Sequence, residues 1–205
     1  MTETTLTPAR LWKRMTSEQR LKAARAFWAD EEAADDQVQA ALLIAQHKKF
    51  RAKTVISLDD ERKARHLASL PSLPETVAAR ALVVYHLAEQ RPMMGAFLDV
   101  LGISHENGVI QDDDVKPDAA KIGPASDQIA KEFAAEDVSL YLNTLLCQDP
   151  ATWGGLEGVV NRLDVAAGLS RPATSATICL WACRSQPSPI DNMPGPCAGG
   201  RARSA

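Results

Sequence analysis

Apolar residues in the first two thirds of the chain recur at three- and four-residue intervals and rarely alternate with polar ones, which predicts helices rather than sheet. Leu11, Trp12 and Met15 form a short first helix after Pro8, a residue suited to an early helical position. In the following "TSEQ", Thr16 and Gln19 have capping-box spacing, and Leu21, Ala24, Phe27 and Trp28 then share one face. A long third helix starts near Glu31 and ends at "HKK", with acids early and bases late, as the helix dipole favours. Its inward stripe is read as Val38, Ala41, Leu42 and Ala45.

Ser57 is the expected N-cap of "LDDERKARHLASL", which Pro71 stops. Pro74 opens a longer helix carrying Val77, Ala81, Val84, Tyr85 and Ala88, and Pro92 interrupts it. "PMMGAFLDVL" follows, with Gly102 placed to end it in a left-handed conformation and Ile103 as the apolar partner of that cap. Beyond lie a turn at "PDAAKI", then "SDQIAKEF", "EDVSLYLNTLLC" and "TWGGLEGVVNRL". The expected fold is all-α, an irregular orthogonal bundle of eight or nine short helices over residues 1–164; no repeat supports a stack of helix pairs instead.

Composition divides the chain. Residues 1–164 carry 19 Lys and Arg against 25 Asp and Glu, net −6, while residues 165–205 carry 4 against 1 and hold Cys179, Cys183 and Cys197 and five prolines. That tail is expected to be disordered, since little apolar surface offsets its ordering entropy. A second reading is an altered reading frame, because Lys and Glu vanish there together. Cys179, Cys183 and Cys197 lack a nearby fourth ligand, which argues against zinc.

An acidic body repels phosphate backbones, so nucleic acid is not an expected partner. "MTETTLTPAR" has neither a basic start nor an apolar run, and no apolar stretch approaches the roughly 20 residues of a membrane span. The protein is therefore expected to be cytoplasmic, with no membrane partner. Cys147 reads as a small apolar residue.

The acid-rich "SHENGVIQDDDVKPD", residues 104–118, resembles a calcium loop only superficially. With Asp112 first, Lys116 takes a ligand position and Pro117 the position that needs glycine. It reads instead as a solvated joint between helix groups, with Asn107-Gly108 as a turn and Val109-Ile110 as a brief extended anchor. No nucleophile elbow, phosphate loop or Glu-x-x-His motif is present. No catalytic, cofactor-binding or metal-ligating residue is assigned, and no cofactor is expected. The preferred expectation is a non-catalytic interaction or regulatory module; "PMMGAFLDVL", a short helix between proline and glycine stops, is expected to pack into the core, and where part of it stays exposed Met93, Met94, Phe97, His105, Glu106 and Asn107 are the expected contact with another protein. The alternative is a metal-binding helical-bundle enzyme using His66, His86, Glu89 and His105.

Overall fold

The structure, a computed structural model, describes residues 6–111 and 115–166. Asp112 to Asp114 and residues 167–205, with the expectations attached to them, lie outside the described residues. The described residues are all-α apart from one two-stranded hairpin.

The first three helices are α1 (Pro8–Arg14), α2 (Ser17–Ala29) and, after a 3-10 turn, α3 (Ala34–Lys48). The Thr16 hydroxyl accepts from the Gln19 amide at 3.1 Å while the Gln19 side chain accepts from the Thr16 amide at 2.9 Å, closing the expected capping box. Lys49 ends α3 in the left-handed region at φ 58°, which permits a sharp exit into the one-turn helix α4 (Ala52–Ile56). α5 spans Asp60–Ala68. Its N-cap is Asp59, whose carboxylate accepts from the Arg62 amide at 2.9 Å; the expected cap, Ser57, instead donates to the Thr54 carbonyl and closes α4. A carboxylate at this end also meets the positive pole of the helix, which favours Asp59.

α6 (Glu75–Glu89) and α7 (Arg91–Leu101) meet at Gln90, and Pro92 lies in the first turn of α7, where its missing amide costs nothing. Gly102 ends α7 at φ 73°, with the Ile103 amide donating to the Leu98 carbonyl at 3.0 Å. β1 (His105–Glu106) then pairs antiparallel with β2 (Val109–Ile110), His105 facing Ile110 and Glu106 facing Val109. Asn107 and Gly108 both have positive φ, 50° and 83°, as a two-residue type I′ turn demands.

α8 (Ala119–Glu132) is continuous through Gly123-Pro124, where the sequence suggested a turn and a separate helix. Proline disfavours a helical predecessor through clashes with that residue's amide and Cβ, and Gly123, having no Cβ, removes the second of these. α9 (Ala135–Gln148), α10 (Pro150–Trp153), a second 3-10 turn and α11 (Glu157–Ala166) complete the fold. The one-turn helices α4 and α10 bring the helices to eleven among the described residues.

Two apolar clusters form the interior. One gathers Trp12, Phe27, Ile44, Leu67 and Leu82 from α1, α2, α3, α5 and α6. The other gathers Met93, Phe97, Ile129, Leu142 and Trp153 from α7 to α10. Tyr141 of α9 packs edge-on to both Phe97 and His86, so α6 and α9 join the clusters.

Candidate interaction surface

Met93 and Phe97 are 0% exposed and fill the second cluster, so they present no surface. The burial follows from α7 lying between a proline start and a glycine stop with its apolar face against α8. Met94 is half-buried, and Glu106 and Asn107 are exposed on the hairpin. The hairpin does not form a loose joint. A Cβ on Gly108 would stand 2.8 Å from Met94 Cβ and 2.9 Å from the Arg91 carbonyl, so the turn sits directly on α7.

The residues of the alternative metal reading do not converge, and no three His, Cys, Asp or Glu side chains gather for a metal among the described residues. His105 is held at both nitrogens: Nδ1 accepts from the Gly108 amide at 3.1 Å, so Nε2 carries the proton and donates to Asp99 at 3.1 Å. His66 packs edge-on to Phe50, and burial followed by the nearby Lys48 charge lowers its pKa. Glu89 is exposed, 3.9 Å from Lys22 Nζ. His86 is buried between α6 and α9. Thr144 Oγ1 gives its proton to the Leu140 carbonyl at 2.8 Å, so it accepts from His86 Nε2 at 3.1 Å and leaves Nδ1 without a partner. A proton on Nδ1 would be a buried charge with no acceptor, and desolvation pushes the pKa down to about 3.

A cleft of about 80 Å³, lined by Leu11, Met15 and Leu140 together with Arg14, Ser139 and Asn143, lies where α1 meets α9. Beside it the Asp164 carboxylate, on α11, accepts from Ser139 Oγ at 2.5 Å and pairs with Arg14 at 2.7 Å. The Asn143 amide donates to the Ser139 carbonyl at 2.8 Å. Ser139 points its proton into the carboxylate and no imidazole adjoins it, so the group clamps α1, α9 and α11 together.

The outer face of α3 behaves differently. Ala40, Ala41, Ile44 and Ala45 are buried, and the Gln37 amide anchors the helix by donating to the Phe27 and Asp30 carbonyls at 2.9 and 2.8 Å. Val38 and Leu42, read from the sequence as inward, are 56% and 54% exposed; Phe50 and Ile56 follow at 43% and 59%. These four are the exposed large apolar side chains of the described residues, and all fall on α3, α4 and the turn between them. A signal for this face was present in the sequence: between Asp36 and Asp59 there is no acid, while Lys48, Lys49, Arg51 and Lys53 stand together in an otherwise acidic chain. Among the described residues no helix is long and apolar enough to cross a membrane. Comparison with protein families, with curated proteins and with solved structures finds no match to this chain.

Proposed function

We propose that this chain is a non-catalytic helical module that binds another protein through the outer face of α3 and the adjoining α4. The observation that carries the reading is the confinement of every strongly exposed large apolar side chain among the described residues to Val38, Leu42, Phe50 and Ile56. Single apolar residues scattered over a surface need no explanation, but a group drawn from one helical hairpin marks a contact site. The basic residues that follow Leu42 give the site a charged rim, as binding surfaces have.

The test is site-specific photo-crosslinking in native cells, with a crosslinking amino acid at Leu42 and a control at the exposed Glu157. Protein adducts are expected from position 42, weakened by Ile56→Asp, and none from position 157. Equal labelling at both positions, or none at either, rules the reading out.

A further inference from the structure

The exposed line along α3 has an internal symmetry. Asp35, Val38, Leu42 and Gln46 are all exposed and are spaced by three, four and four residues, so they form one stripe along α3, and the exposed Lys49 follows as the left-handed cap at its end, with Leu42 midway between Asp35 and Lys49. Asp35 and Lys49 lie seven residues to either side of Leu42, with opposite charge. Neither side chain takes part in an ion pair among the described residues.

We propose that this stripe is the interface of a two-fold dimer of the chain, in which α3 packs antiparallel against α3 of a second copy with the axis at Leu42. An antiparallel copy places residue 42 + n opposite residue 42 − n. Leu42 then meets Leu42, Val38 meets the aliphatic part of Gln46, and Asp35 of each copy meets Lys49 of the other. The charge order that suits the dipole of a single helix, acid first and base last, becomes self-complementary when the helix is reversed on a copy of itself. A two-fold interface needs that property, since one patch must serve as both partners.

The other occupants fit less well. A uniformly acidic peptide or an anionic bilayer would match Lys48, Lys49, Arg51 and Lys53, yet it would meet Asp35 and Asp36 at the opposite end of the same stripe. In the two-fold arrangement both ends match at once. The contact is small: a helix of 15 residues is about 22 Å long and about 10 Å wide, giving about 200 Å² per copy against the roughly 800 Å² of a stable complex. The dimer is accordingly weak, with Kd in the micromolar range or above.

The inference rests on the α3 contact reading, and the test separates the two. The purified full chain is sedimented from low micromolar to several hundred micromolar; its mass rises from 22.2 kDa toward twice that value. Asp35→Lys and Lys49→Asp each place like charges opposite each other twice, and each raises Kd at least about fivefold. In a mixture of the two variants, the lysines of one copy face the aspartates of the other at both ends of the stripe, so the mixture recovers the wild-type affinity. Recovery also demonstrates that both variants are folded. A mass of 22.2 kDa at every concentration, a dimer indifferent to either substitution, or a mixture no tighter than its parts would overturn the dimer. Binding to phosphatidylserine vesicles in place of self-association would overturn it as well. If the chain stays monomeric while Ile56→Asp still weakens crosslinks from position 42 to a different protein, the dimer fails and the contact surface stands. If the chain stays monomeric and Ile56→Asp leaves those crosslinks unchanged, both fail.

Discussion

Replacing His86 by glutamine should flatten the acid limb of the stability curve. In the folded chain the imidazole is neutral, with Nε2 bonded to Thr144 and Nδ1 facing no donor or acceptor, and burial lowers its pKa from 6.5 to about 3. Between these values the unfolded chain binds one proton that the folded chain does not. Stability therefore rises with pH across this window and falls as pH drops below 6.5, by about 1.4 kcal/mol per unit. From pH 7 to pH 5 the loss is about 2 kcal/mol, and the full window is worth about 5 kcal/mol. Glutamine can still donate to Thr144 but does not titrate. His86→Gln loses packing against Tyr85 and Tyr141 equally at every pH, which lowers the whole curve without tilting it. Urea unfolding followed by circular dichroism at pH 5, 6, 7 and 8 measures both proteins. His66 and the carboxylates titrate in each, so the difference between the two slopes isolates His86. Equal slopes, or an imidazole resonance of His86 that titrates near 6.5, would refute the reasoning.

Asp164→Ala strips both Arg14 and Ser139 of their shared acceptor and should destabilise the chain by about 2 to 4 kcal/mol in urea unfolding at pH 7; adding Arg14→Met should recover part of the loss. Gly108→Ala forces a side chain to φ 83° with its Cβ 2.8 Å from Met94 Cβ, and should cost about 2 to 3 kcal/mol by the same assay. A cost below about 0.5 kcal/mol would mean that the hairpin lifts freely off α7. The Cys147 thiol is pushed up to about 11, first by burial and then by the Glu75 charge, so at pH 8 its alkylation should run about 100-fold slower than that of a model thiol peptide. Peptide-resolved mass spectrometry after iodoacetamide treatment reads this rate, and labelling at the peptide's rate would contradict the burial.

Features decided within a few residues were legible in the sequence. The Thr16-Gln19 box, the left-handed stop at Gly102 and the Asn107-Gly108 turn each depend on the chemistry of two or three adjacent positions, and each has the geometry that chemistry requires. Features decided by competition were not. Ser57 and Asp59 are both capable caps, and only the start of α5 at Asp60 selects the carboxylate. Gly123-Pro124 combines two helix breakers, yet the missing Cβ of the first removes part of the clash made by the second, and α8 runs through both. His86 gave no sign of burial, because its surroundings come from α9, 58 residues further along at Thr144. For α7, by contrast, core packing is what a short helix between proline and glycine stops leads one to expect, and Met93 and Phe97 lie buried against α8.

The misread stripe on α3 has a physical cause that bears on the contact surface itself. A helix with one apolar face announces its orientation, but α3 has two. Ala40, Ala41, Ile44 and Ala45 make a narrow inward face, while Val38 and Leu42 lie beside it and Leu43 is partly buried on another side. Periodicity alone can merge Val38 and Leu42 with Ala41 and Ala45, since all four obey helical spacing. Gln37 breaks the tie: its amide donates to the Phe27 and Asp30 carbonyls, which close the end of α2. Turning α3 far enough to bury Leu42 would carry Gln37 away from those carbonyls and draw Ile44 out of the core. The Asp30 carbonyl would keep the Ala33 amide, but the Phe27 carbonyl would lose its Gln37 donor at a cost of about 1 to 3 kcal/mol, and exposing Ile44 adds about 2 kcal/mol. The gain from burying one leucine is about 2 kcal/mol, so the turn is unfavourable and Leu42 stays outward. Its exposure is thus held in place by the interior of the domain, and a second surface is what can cover it.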